Sequence, residues 1–268
     1  MTKAATNKAK KAETSRRGEI GPEVLPVTYN DILAAIAAGL RDFRAAPLYG
    51  LAFAGIYALG GWILIILLLH FDLPFLVYPL AAGFALIGPF IATGFYAVSD
   101  LLEQEKTLSW GGVLGAVREA GGRDLGWMAL VTGFSLIIWM DIAALLSFGF
   151  LGMKSMSATE LINYIFTTPS GWLFLLIGNG VGAVIALAVF SFSVVSFPML
   201  YDREVDFVTA MVTSVKVVVA NPRPMIVWCV IIALLTGLSL LSGLLGLFAV
   251  LPVLGHASWH LYRRAVGT

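Results

Sequence analysis

Charge is scarce in this chain. Asp, Glu, Lys and Arg together make up 12% of its 268 residues, about half of the roughly 25% that a soluble domain carries. Cysteine is nearly absent: Cys229 is the single one, so an intramolecular disulfide and a cysteine-based zinc site are both excluded. There are three histidines, His70, His256 and His260. The chain has no Walker loop, no dinucleotide glycine fingerprint, no nucleophile elbow and no His-Glu-x-x-His. The sequence therefore gives no reason to expect an enzyme. It names no catalytic, cofactor-binding or metal-binding residues and implies no cofactor and no nucleic-acid partner.

What the chain has in quantity is apolar sequence, 59% of its residues, arranged in runs that cross a bilayer. At 1.5 Å per residue, a hydrocarbon core of roughly 30 Å needs about 20 residues of helix. Leu48 to His70, Pro74 to Ser99, Leu125 to Met153 and Trp172 to Leu200 each meet that length. Pro224 to Tyr262 contains no Asp, Glu, Lys or Arg. As one helix it would be about 58 Å long, so it reads as two short spans divided near Ser242-Gly243. The fold class is all-α: a polytopic helical membrane protein with six transmembrane helices.

Residues 1–27 are basic and poor in bulky apolar residues, and are expected to form a disordered tail. Residues 28–268 form one helical membrane domain. Within it an amphipathic helix precedes each pair of spans, and each opens on a capping residue followed by an aromatic: Thr28-Tyr29, Ser109-Trp110 and Asp206-Phe207. The pairs end beside Tyr96, Tyr201 and Tyr262, where an amphipathic ring suits the headgroup level. The pattern predicts three parallel repeats, units 28–99, 100–201 and 202–268, each returning the chain to the side it left. Of the seventeen Lys and Arg, only Lys154 falls on the far side. The positive-inside rule then puts both termini and the three amphipathic helices in the cytoplasm. A surface helix follows Ser157 on the outer side, and Gly178 and Gly182 have the spacing of a close helix contact.

Two polar features stand out in the spans. Asp141 is the one formally charged residue within them, roughly 24 Å along its helix from Leu125. Two placements are open for it: facing the bundle interior with His70 as its natural partner, or wetted by headgroups near the outer interface in a structural role. His256 and His260, four apart, share a helix face at the spacing of paired metal or haem ligands. With no Asp, Glu or Cys at motif spacing beside them, they read as interfacial histidines bonding to headgroups.

The stretches Leu40 to Pro47 and Leu254 to Tyr262, set among these helices, resemble the bacterial integral membrane proteins grouped as domain of unknown function 2189, over roughly residues 28 to 264. That resemblance implies a six-span inner-membrane protein and supplies no established activity. The expected function is non-enzymatic: a scaffold, assembly factor or accessory subunit, with the lipid bilayer and either a membrane-protein partner or a second copy as its partners. A small-solute transporter or channel with a path between the repeats is the alternative.

Overall fold

The computed structural model describes residues 22–69, 77–120, 122–152 and 158–267. His70, Ser157 and the tail up to residue 21 lie outside them. The described residues are helical apart from turns and one isolated backbone pairing, Val24 with Val266. In chain order the helices are α1 (Tyr29–Ala45), α2 (Pro47–Leu69), α3 (Val77–Glu103), α4 (Trp110–Ala120), α5 (Arg123–Leu151), α6 (Ala158–Thr167), α7 (Pro169–Ser193), α8 (Ser196–Asp202), α9 (Phe207–Ala220), α10 (Pro222–Leu241) and α11 (Leu247–Ala265).

The three helices expected to be amphipathic start where their capping residues predict. Thr28 and Asp31 form a reciprocal capping box before α1, Ser109 Oγ accepts the Gly112 N–H before α4, and Asp206 accepts the Thr209 N–H before α9. Each cap satisfies a backbone donor that the first helical turn leaves without a partner.

Four stretches among the described residues are long and apolar enough to cross a membrane: Pro47–Leu67, Asp124–Leu151, Pro169–Asp202 and Pro222–Leu241. The second and sixth expected spans, carried by α3 and α11, are not among them. For α3, the side chains of its N-terminal half lie largely outside the described residues. For α11 the reason is chemical. Its first half is apolar, but its second half carries His256, Ser258, His260, Arg263 and Arg264 and belongs to a polar core beneath α1.

The chain does divide after Leu241, as the length argument requires. Gly243 and Leu244 both take positive φ, 67° and 71°. A leucine there is strained, and its buried side chain plugs the space left by Gly61 on α2, where a Cβ would come within 2.6 Å of Leu244 Cδ1. Trp62 Nε1 donates to the Gly243 carbonyl, 2.8 Å, and holds the turn on α2.

Packing is concentrated at the end of the molecule where Val24 pairs with Val266. There α11 lies across α1 and also packs on α2 and α3. Gly39 permits the crossing, since a Cβ on it would sit 2.6 Å from both Ala257 N and Val253 O. Trp228, Trp259, Tyr262, Met199 and Met225 form the buried centre nearby. Away from this core the span helices present large apolar side chains outward, such as Leu176, Leu145 and Leu241, which is the surface a hydrocarbon solvent requires. Gly182 is a close contact, since a Cβ added there would lie 3.0 Å from the Trp139 ring, whereas Gly178 faces open space.

Three expectations need correction. Residues 22–27 are ordered: Leu25 N–H donates to Ala265 O and Gly267 N–H to Glu23 O, both 2.9 Å, and Val27 N–H donates to Asn221 Oδ1 at 2.7 Å. Extended backbone at a helix bundle needs partners for its amides, and the last residues of α11 and the C-cap Asn221 supply them. Tyr96 and Tyr262 are buried rather than turned outward to headgroups, and with Tyr201 they gather around Trp259, at ring-centroid distances of 6.4 Å (Tyr96), 5.5 Å (Tyr201) and 5.8 Å (Tyr262). Asp141, finally, is exposed on α5, opposite the side on which Leu125, Met128 and Ala129 are buried, so the interior placement does not hold.

Candidate functional site

Polar groups that the sequence scatters as far as 218 positions apart come together where α1, α3, α8 and α11 meet. Helical spacing puts Ser99 and Glu103, four apart, on one face of α3, and His256 and His260, also four apart, on the facing side of α11. Asp42 enters from α1. His260 Nε2 is 2.7 Å from Asp42 Oδ2, and His260 Nδ1 is 3.2 Å from Glu103 Oε1. Both ring nitrogens of His260 thus face carboxylate oxygens, and both can donate only in the imidazolium.

Ser99 Oγ donates to Asp42 Oδ2 at 2.7 Å and lies 2.8 Å from His256 Nδ1. A carboxylate can only accept, so the one hydroxyl proton goes to Asp42 and the serine oxygen accepts from His256 Nδ1–H. That fixes the tautomer of His256. Its Nε2 is buried and has no hydrogen-bond partner among the described residues, with the Phe95 ring edge-on at 5.5 Å. A bare nitrogen lone pair is the form of that atom which burial penalises least.

The residue types are those of a serine hydrolase, but their order is not. In a hydrolytic triad the histidine lies between the acid and the serine and takes the serine's proton. Here the serine lies between acid and histidine, and its proton points at the acid. Ser99 and His256 are also fully buried. The arrangement ties three helices together.

A ladder of charge continues from Glu103. Arg263 Nε is 3.7 Å from Glu103 and its Nη1 is 3.6 Å from Asp202. Tyr262 donates to Asp202 at 2.5 Å, and Arg203 Nε donates to Tyr262 Oη at 2.9 Å. Arg203 also donates to the Gly267 carbonyl at 2.6 Å. Tyr201 donates to Asp100 Oδ2 at 3.1 Å, and Arg264 meets Asp31 at 3.1 Å. Burial works against the ionised form of Asp42, but hydrogen bonds from His260 and Ser99 and the positive field of His260 win and hold its carboxyl below the usual range. Asp31 is also held low, chiefly by the Thr28 hydroxyl and backbone N–H, and Asp206 by the corresponding groups of Thr209.

Beside the ladder, between the end of α3, α4 and the α8–α9 turn, lies an open cavity of about 810 Å³. Asp100, Glu119, Asp124, Asp202, Glu204 and Asp206 line it, against Lys106 and Arg203. Among the described residues no group of three or more His, Cys, Asp and Glu is arranged to hold a metal ion.

The structure therefore joins His256 and His260 to one network, separates Asp141 from it, and leaves His70 outside the described residues. The histidines do not reach headgroups, because α1 and α3 cover them. Sequence reading missed Asp42, Ser99, Glu103 and Asp202. One signal was present: Leu40 to Pro47 and Leu254 to Tyr262, the two stretches on which the family resemblance rests, meet through Asp42 and His260.

A second local device lies on α7 and α8. Val195 N–H would ordinarily bond the Ser191 carbonyl, but Ser214 of α9 enters between them. Its Oγ accepts from Val195 N–H at 3.2 Å and donates to Ser191 O at 2.8 Å. An inserted side chain of this kind breaks a helix without orphaning its backbone.

Residues 77–202 match the family model described as predicted integral membrane protein (DUF2189), the family that the sequence resembles. The match covers neither Leu40 to Pro47 nor Leu254 to Tyr262. No curated protein and no solved structure matches the chain.

Proposed function

Taking a predicted integral membrane protein as the premise, we propose that the chain is a non-enzymatic protein of the bacterial inner membrane that acts by association, as a scaffold, assembly factor or accessory subunit. One observation carries this reading. Ser99 and His256 are buried, and with the half-buried Asp42 they bond to one another rather than facing a ligand, while two of the expected surface helices keep exposed apolar rows. On α9, Val208, Val212, Val215 and Val219 form an exposed row at helical spacing, and on α4 Trp110 and Leu114 do the same.

The proposed topology has six crossings with both termini and the helices α1, α4 and α9 cytoplasmic. The backbone pairing of Val24 with Val266 supports an even number, because an odd number would leave the two ends on opposite sides. The proposed threefold repeat gains support from a recurring bond. Tyr201, closing the second unit, donates to Asp100 at the start of that unit, and Tyr262, closing the third, donates to Asp202 at the start of its own.

Mild-detergent purification at native expression, with crosslinking and mass spectrometry, tests the functional reading. A stoichiometric membrane partner is expected, and a chain that always emerges as a free monomer without protein or lipid counts against it. A reporter after Thr268 should be cytoplasmic and one inserted near Ser155 external.

The second reading is a solute transporter, favoured by the acidic cavity and the opened helix at Val195. Proteoliposome flux over a broad solute panel decides it: transport abolished by Asp202→Asn or Asp100→Asn supports it, and absence of flux removes it.

A further inference from the structure

Asp141 sits in the middle of a row that points away from the rest of the molecule. Leu130, Phe134, Ile138, Asp141, Leu145 and Phe148 follow one another at steps of three and four along α5, and all are exposed. At 100° per residue they keep to one face. The opposite face carries the packing: Leu125, Met128 and Ala129 are buried, and Trp139 turns toward Gly182 of α7. No hydrogen bond or ion pair reaches Asp141 among the described residues.

The helix α5 is one of the four long enough to cross a bilayer. Asp141 lies 16 residues from Leu125 and 10 from Leu151, which is roughly 24 Å and 15 Å of helix, so its carboxyl falls within the hydrocarbon region. That is the least favourable medium for it, and lipid chains offer it nothing to bond. Whatever covers the row must present a polar atom at the same depth and apolar side chains above and below.

A second copy meets that requirement by symmetry. When two copies pack about a two-fold axis along the membrane normal, α5 lies parallel to its equivalent, and each residue on the axis-facing row meets itself. Apolar side chains then meet apolar ones, and position 141 meets position 141. Two carboxyl groups that share a proton donate and accept across the axis. A single polar residue in an otherwise apolar seam also fixes the register of paired helices.

We propose that this chain self-associates in the membrane through the outer face of α5, with Asp141 paired with Asp141 of a second copy. The inference stands apart from the scaffold reading, since it needs only that α5 crosses the bilayer, and either can fail without the other.

Disulfide crosslinking in native membranes tests it, in a Cys229→Ser background. Single replacements Phe134→Cys, Ile138→Cys and Leu145→Cys should give the crosslinked dimer, several-fold more than Leu136→Cys and Ala143→Cys on the opposite face of α5. Equal crosslinking on both faces, or crosslinks only to a different polypeptide, overturns the proposal.

Energy transfer between donor- and acceptor-tagged copies in liposomes is the second measurement, and it needs no cysteine variant. The parent should show transfer and Asp141→Asn should keep it. Asp141→Lys copies alone should lose it and regain it when mixed with parent copies, because only a meeting of position 141 with itself turns a repulsive pair into an attractive one. No transfer in the parent, or no difference between Asp141→Lys alone and mixed, overturns the pairing.

Discussion

His260 and Asp42 are 218 residues apart in sequence and 2.7 Å apart in the structure. Asp42 also accepts the Ser99 hydroxyl, so one carboxylate oxygen receives donors from α11 and α3 while belonging to α1. Three helices that are distant in the chain depend on this one acceptor.

Asp42→Ala should therefore leave the His260 and Ser99 donors without their acceptor and cost about 1–3 kcal/mol. Asp42→Asn, which keeps an acceptor oxygen, should cost less. Thermal unfolding in detergent measures both, and equal losses would show that charge rather than hydrogen bonding is what Asp42 supplies.

The same residue sets an acid limb. A carboxyl whose folded-state value lies below its unfolded one stabilises the fold fully above the ordinary carboxylate range, and that contribution is lost as pH falls through the depressed value. Asp42 is such a group. The melting temperature should fall as pH is taken below about 4, and the fall should be shallower in Asp42→Asn. A parent and variant with parallel acid limbs would assign the acid sensitivity to other carboxylates, Asp31 and Asp206 first.

The cluster around Trp259 separates packing from hydrogen bonding. Trp259 is fully buried and its Nε1 has no hydrogen-bond partner among the described residues. Trp259→Ala should cost about 3–5 kcal/mol through the cavity it leaves among three tyrosines. Trp259→Phe loses less volume and also removes an unpaired donor, so it should cost clearly less. Unfolding in denaturant checks the order of the two.

Gly39→Ala should lift α1 from α11, because the added methyl would meet backbone atoms of Val253 and Ala257 that cannot rotate away. Faster limited proteolysis between residues 22 and 45, with α2 to α10 still protected, is the expected result.

Ser214→Ala removes the hydroxyl that fills the gap between Ser191 O and Val195 N–H. Either both groups stay unbonded, at a cost of about 1–3 kcal/mol, or α7 and α8 close into one continuous helix. A lower melting temperature with fast amide exchange at Val195 marks the first outcome, which is the one expected because Ser214 is buried in a packed site.

Much of the helical order was readable from sequence because it depends on local chemistry. Thr28, Ser109 and Asp206 cap helices wherever a hydroxyl or carboxylate can reach an N–H three residues on. The long apolar runs and the break after Leu241 follow from bilayer thickness. Orientation was not readable. The helix α5 is apolar on every side, so hydrophobic periodicity carries no information about which face is inside, and the two placements of Asp141 could not be told apart. Tyr96, Tyr201 and Tyr262 were assigned to the headgroup level from their position at span ends. The same position also suits a shared ring cluster, which only the fold reveals. The His256 and His260 pair showed its common face, but its partners come from α1 and α3, which no local pattern connects to α11.

The crossing of α1 on α11 also sets the order in which the molecule can be completed. The helix α1 finds its main partner in α11, made some two hundred residues later, and the backbone pairing of Val24 with Val266 cannot form until residue 266 has been synthesised. At about 5–20 residues per second the interval is on the order of 10 to 40 s, during which α1 has an apolar face and no α11 to cover it. Interruption of synthesis anywhere before α11 therefore leaves the same exposed face. A protease or chaperone that recognises it could tell an unfinished chain from a finished one.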